Sequence, residues 1–223
     1  NQRLEEVTWV ESLAHADPRI QGIVAAAPME TGDAVVSHLE SLSKSPIVKG
    51  VRRLIQAEPL GFSTQAPFIE AIRLLPQFGL SFDLCIKHQQ FPDILTLVES
   101  CPDTSFILDH IGKPGIADST LDPWREHMKS LSSLPNVIGC KLSGLITEAN
   151  WETWTADDLR PYLEHAIDCF GTNRVLYGSD WPVSVLAGGY QRWWHAFATV
   201  LETLDLADQA KITGENAQRI YAL

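Results

Sequence analysis

Basic clusters, long apolar runs and paired cysteines are all missing from this chain of 223 residues. Seventeen Lys and Arg against 28 Asp and Glu leave a formal charge of -11. With no Lys/Arg patch to receive phosphates, nucleic acid is a poor partner. No stretch reaches the roughly 18 uninterrupted apolar residues of a membrane span, so no membrane partner is expected. The four cysteines, Cys85, Cys101, Cys140 and Cys169, are dispersed. Without a C-x-x-C pair they suggest neither a zinc knuckle nor a redox switch, and reduced thiols in a cytoplasmic protein are the expectation. The chain opens on Asn1 rather than Met and shows no signal-peptide core, so its true start is expected to lie upstream and no targeting reading follows.

What is present is a sizeable apolar fraction, 45%, against 20% charged residues. That balance fits one globular domain spanning residues 1–223. Short β-branched runs alternate with amphipathic stretches throughout, the sequence form of βα units around a parallel sheet. Strands are expected at Gly22–Ala27, Val48–Leu54, Ser81–Ile86, Ser105–His110, Val137–Ser143 and Arg174–Ser179. Helices are expected at Leu4–Ala14, Asp33–Ser43, Ala66–Phe78, Phe91–Ser100, Pro123–Leu134, Ala156–Phe170, Gln191–Leu204 and Glu215–Tyr221. Thr155 with Asp158 reads as a capping box, and Asp122 before Pro123 as an N-cap. The fold class is α/β, a (β/α)8 barrel in which about two βα units are missing. The opening helix reads as one that follows an absent strand.

Barrel active sites are built at the carboxyl ends of the strands. Here nearly every strand ends on something polar: Arg52 with Arg53, Lys87 with His88, Asp109 with His110, Lys141 with Ser143, and Asp180 with Trp181. A charge over the barrel mouth must be hydrated, paired or ligated, so this convergence marks a rim. Asp180, which follows the expected strand Arg174–Ser179 in Val-Leu-Tyr-Gly-Ser-Asp-Trp-Pro-Val, is the first candidate for chemistry. By alternation with Phe106 and Leu108, His110 can point into the barrel while Asp109 faces the helices, or it can be the first residue clear of the sheet. A His and an Asp from different strands can share a metal ion or a water.

The Arg52 guanidinium suits a carboxylate or a developing oxyanion, whereas Arg53 should turn outward into a salt bridge. Lys141 and Ser143 share a face, but no G-x-S-x-G elbow surrounds Ser143. His88 either lines the mouth or opens the helix at Phe91. Trp181 can stack on a small ring or plug the barrel end. His15, His38, His127, His165 and His195 fall inside helices, where packing or solvation is the default.

Five segments in order, Gly-Val-Arg52, Leu-Asp-His110-Ile-Gly-Lys-Pro, Cys-Lys-Leu-Ser143-Gly-Leu, Tyr-Gly-Ser-Asp180-Trp-Pro and Gly-Glu-Asn-Ala-Gln-Arg-Ile-Tyr, resemble the amidohydrolase superfamily. Within it they look most like the branch of sugar lactonases that includes L-fuconolactonase, L-rhamnono-1,4-lactonase and the pyrone-dicarboxylate lactonase. The resemblance implies hydrolysis of a small sugar-acid lactone. It makes Asp180 the general base, His110 the group that polarises substrate or binds metal, and Arg52 the substrate grip. Lys141, Ser143, Trp181 and His88 would line the substrate. It also implies either one divalent cation such as zinc, held through His110 and Asp180, or none. The family's first-strand His-x-His occurs nowhere in this chain, so a fragment is expected. A metal-dependent decarboxylase and an inactive relative acting as a binding protein are the competing readings. No oligomeric state follows.

Overall fold

Six parallel strands lie side by side in chain order, β1 (Ile23–Ala26), β2 (Val48–Arg52), β3 (Ser81–Leu84), β4 (Phe106–Leu108), β5 (Val137–Leu142) and β6 (Val175–Tyr177). This is a computed structural model, and it describes residues 2–223. All pairings are parallel, with Arg52 level with Asp83 and Leu108 level with Cys140, so the strand ends share one rim. Among the described residues β1 and β6 each pair with one neighbour, which makes the sheet an arc of a TIM-type barrel.

Among the described residues ten α-helices surround the arc: α1 (Gln2–Ala16), α2 (Val36–Leu42), α3 (Ala66–Leu74), α4 (Phe91–Ser100), α5 (Trp124–Ser132), α6 (Leu145–Glu148), α7 (Ala156–Phe170), α8 (Gly189–Leu201), α9 (Leu206–Ala210) and α10 (Asn216–Tyr221). The helix-facing side of the sheet is apolar. Phe68 of α3 meets Phe82, and Phe82 meets Phe106, edge to face with centroids 6.0 and 6.2 Å apart. Phe106 and Leu108 therefore face the helices. Strand alternation then puts Ile107 and Asp109 inside the barrel.

That phase corrects one expectation: Asp109 faces the interior, not the helix layer. Two helix boundaries also differ for local reasons. The α3 hydrogen-bond ladder stops at Leu74 because Pro76 has no N–H to donate, and a tighter turn carries the chain to Phe78 before Gly79 closes it at φ 66°. At the start of α5, Asp122 caps nothing; its carboxylate pairs with Arg125 instead. The α7 capping box forms as expected, with Thr155 N and Oγ1 both 2.8 Å from Asp158 Oδ2. Helices α6 and α9, and the π turn that links α9 to α10, were not foreseen.

The final helix is docked beneath the sheet. Asn216 Nδ2 donates to the carbonyls of Thr172 and Val175, both at 2.7 Å, and Lys49 Nζ donates to Ala222 O at 3.0 Å. This places the Tyr221 side chain in the floor of the barrel.

Candidate active site

At the end of β4 the backbone leaves the sheet through a strained turn. His110 and Ile111 have φ of 54° and 46°, a region costly for residues with a Cβ and most of all for a β-branched one. Two anchors hold the turn. Trp124 Nε1 donates to Ile111 O at 2.8 Å, and the His110 side chain packs close against Gly144. A Cβ at Gly144, whose φ is 69°, would sit 2.8 Å from His110 Cβ and Cγ. Only glycine leaves that space open.

The turn delivers His110 to the mouth with both ring nitrogens facing a partner. Nδ1 is 2.8 Å from Ser143 Oγ, and Nε2 is 3.5 Å from Asp180 Oδ1. A carboxylate opposite Nε2 favours a proton there, with the Ser143 hydroxyl donating to Nδ1. Burial lowers the His110 pKa from its ordinary value, although the carboxylates of Asp109 and Asp180 act against it. A neutral imidazole is the result.

Asp180 arrives differently. Strand β6 ends at Tyr177, and Gly178 and Ser179 lead the chain out of the sheet to Asp180, which has φ 51°. Aspartate is among the few side chains that tolerate this region. Its carboxylate is 11% exposed, and Oδ2 is buried with no hydrogen-bond partner among the described residues. An orphaned carboxylate oxygen is costly unless something is to be bound there.

Below these two lies a ladder of charge. Arg52 Nη1 donates to Asp109 Oδ2 at 2.9 Å. Lys141 Nζ sits between Asp109 Oδ1, at 2.7 Å, and Asp83 Oδ2, and the Tyr221 hydroxyl donates to the same Asp83 oxygen at 2.8 Å. Both carboxylates are fully buried. Burial pushes the Asp83 pKa up to about 6, against the pull of Lys141. Burial works on Asp109 too, but Lys141, His110 and Arg52 outweigh it and hold that carboxyl well below the usual range. Lys141 stays charged, because its two carboxylates more than offset its own burial.

The strand-end residues thus divide. His110, Ser143 and Asp180 come together, and Arg52 reaches the mouth with its side chain 37% exposed. Lys141 is inside but engaged by two carboxylates. His88 turns to the rim, its Nδ1 3.0 Å from Lys113 O. Trp181 projects outward, 69% exposed, on a lip with Val183, Val185 and Leu186. Arg53 faces out as expected, pairing with Glu30 at 2.9 Å and Glu58 at 2.6 Å. As site residues, Asp83 and Tyr221 are absent from the sequence reading, and Asp109 is in it only as a strand-end residue turned toward the helices. The signal for Asp83 was the same as for Asp180, an acid in the apolar strand Ser-Phe-Asp-Leu-Cys-Ile.

Two donor sets bear on a cation. Cys85, Asp109 and His110 offer atoms within 4.8 Å of one another. Both Asp109 oxygens already face cations, however, and burial raises the Cys85 thiol to about 11, so this trio suits a metal poorly. His110 with the unpartnered Asp180 Oδ2 is the better match, supplying two donors of the roughly four that zinc takes.

Comparison with known proteins identifies the family. The family model described as amidohydrolase matches residues 3–223. An L-fucono-1,5-lactonase of Burkholderia multivorans is 34% identical over 79% of the chain, which spans 63% of that lactonase; one of Burkholderia ambifaria is 30% identical over 98% of the chain and 76% of its own length. A zinc-bound crystal structure of an amidohydrolase from Burkholderia multivorans superposes with a TM-score of 0.89 at 31% identity, over 98% of this chain and 79% of that one. A manganese-bound dihydroxybenzoic acid decarboxylase from a Polaromonas species, at 18% identity and a TM-score of 0.67 over 99% of this chain and 75% of its own, shares the fold alone. On the breadth of the family match and the ordered strand-end residues, this chain belongs to the amidohydrolase family.

Proposed function

We propose that residues 1–223, as one barrel domain, carry the catalytic core of a hydrolase that opens sugar-acid lactones of the L-fucono or L-rhamnono class. The observation that carries the reading is Asp180, held 3.5 Å from a neutral His110 with its second oxygen buried and unpartnered. A carboxylate in that state is a competent base for water. Asp180 takes a proton as the water oxygen attacks the lactone carbonyl. His110 Nε2–H faces the developing oxyanion, and Arg52 grips the polyol or carboxyl portion. The ester C–O bond then breaks, and protonated Asp180 returns its proton to the departing ring oxygen. A divalent cation held by Asp180 and by His110, whose Nε2 would then carry no proton, would supply Lewis-acid polarisation of the carbonyl in place of the Nε2–H.

The lactonase names of the relatives support this reading. Trp181, beside the acid, offers an aromatic face to a sugar ring. The test is ring opening across a panel of L- and D-aldonolactones, followed by acid release, with and without chelator. Turnover of L-fucono- or L-rhamnono-lactone that disappears in Asp180→Asn is expected. Rates no higher than the Asp180→Asn background across the panel would refute the reading.

A further inference from the structure

The charge ladder beneath the mouth runs further than the reaction needs, and its lowest rung comes from the other end of the chain. Tyr221 makes two contacts with it. Its hydroxyl donates to Asp83 Oδ2 at 2.8 Å, and its ring lies under the Lys141 ammonium, 5.4 Å from Nζ to centroid. Helix α10 brings it there, fastened by Asn216 and by the Lys49 bond to Ala222 O. From Tyr221 the contacts continue without a gap through Asp83, Lys141 and Asp109 to Arg52 Nη1 at the mouth.

We propose that Tyr221 is a positioning residue for the substrate grip, holding Asp83 and Lys141 so that Asp109 keeps Arg52 aimed into the mouth. The physics is a competition for one ammonium. Two fully buried carboxylates share Lys141, and Asp83 Oδ1 has no hydrogen-bond partner among the described residues. The tyrosine hydroxyl supplies Asp83 with a second donor, so Lys141 is not drawn wholly to one side. Without that donor, the Lys141–Asp109 distance and the oxygen that Asp109 offers to Arg52 both change. Arg53 is an internal control, since its partners Glu30, Glu58 and the Phe62 ring belong to no part of this ladder.

The inference rests on Arg52 gripping substrate, so its first test does not use a lactone. Tyr221→Phe keeps the ring and removes only the hydroxyl. In arginine side-chain NMR, exchange of the Arg52 guanidinium protons with solvent should quicken about three- to tenfold, the worth of one ordinary hydrogen bond. Arg53 should be unchanged. Asp83→Asn, which removes the competing carboxylate and leaves Lys141 to Asp109, pulls the ammonium the other way; it should change Arg52 exchange in the opposite sense and stands in if the first variant does not fold. Equal rates at Arg52 in wild type and a folded variant, or parallel changes at Arg52 and Arg53, would overturn the proposal.

With an active lactone in hand, Tyr221→Phe should raise KM several-fold and leave kcat nearly unchanged, and it should have no further effect on KM in an Arg52→Ala background. An equal KM effect with and without Arg52 would assign Tyr221 to structure alone. Absence of turnover in wild type would count against the lactonase reading, while the NMR result still decides the ladder.

Discussion

The mouth and the floor of this barrel are built from the same residue types on opposite plans. At the floor, Asp83, Lys141, Asp109 and Tyr221 neutralise one another in an almost closed set. At the mouth, His110 and Asp180 stand 3.5 Å apart, both on left-handed backbone and the second with an idle buried oxygen. Saturated charge stiffens, whereas unsaturated charge is available for chemistry. Two aspartates in one interior therefore carry different duties, set by how many donors surround each.

The sharpest way to separate the two regions is Asp180→Asn. It should lower kcat by about a hundred- to ten-thousandfold, the range for a lost general base, and shift the denaturation midpoint little, because it removes an unsatisfied carboxylate. A large stability loss would put Asp180 with the floor. Lys141→Met is the converse. It strands two buried carboxylates and should cost roughly 3–5 kcal/mol in chemical denaturation, whereas Arg53→Met, on partly exposed pairs, should cost about 1 kcal/mol or less. Similar losses in both variants would deny the floor its special role.

Gly144→Ala probes the boundary. Its added Cβ collides with the His110 ring and its φ of 69° disfavours alanine, so stability should fall by about 1–3 kcal/mol and kcat should fall with it. Retention of full kcat would show that His110 tolerates displacement.

The smallest effect is a pH dependence. Asp83 has a native pKa near 6 against an ordinary 3.8, so the folded state binds its proton more tightly than the unfolded chain does. Its contribution to stability is full below about 4 and is lost as pH rises through about 6. Asp109, held low, contributes in the opposite sense, present above the ordinary carboxylate range and lost on acidification. In Asp83→Asn the loss between pH 4 and 6 should vanish, steepening the rise of stability with pH over that interval by about 1–2 kcal/mol in total. An unaltered slope in urea titrations would contradict this.

Much of the frame was legible from pattern alone. All six strands and the principal helices fall where periodicity puts them, because β-branched runs and amphipathic faces are local signals. The rim was legible as well, through the polar residue at each strand end. What pattern could not supply was phase and contact. His110 was grouped with Phe106 and Leu108, yet those two face the helices, and Asp109 takes the inward position. His110 reaches the mouth through a left-handed turn that no apolar periodicity encodes. Asp83 and Tyr221 are 138 residues apart, and only the docking of α10 makes them neighbours.

The two indoles that flank Asp180 have a use at the bench. Trp193 is buried and donates to Gly178 O at 2.8 Å, two residues ahead of Asp180, while Trp181 stands in solvent on the other side of that acid. One indole emits from an apolar pocket and the other from water, on opposite flanks of a single carboxylate. Trp9 and Trp151 also emit from solvent, so the ligand-dependent quench at the red edge that Trp181→Phe abolishes is the part that reports the mouth, a label-free optical titration that needs no turnover.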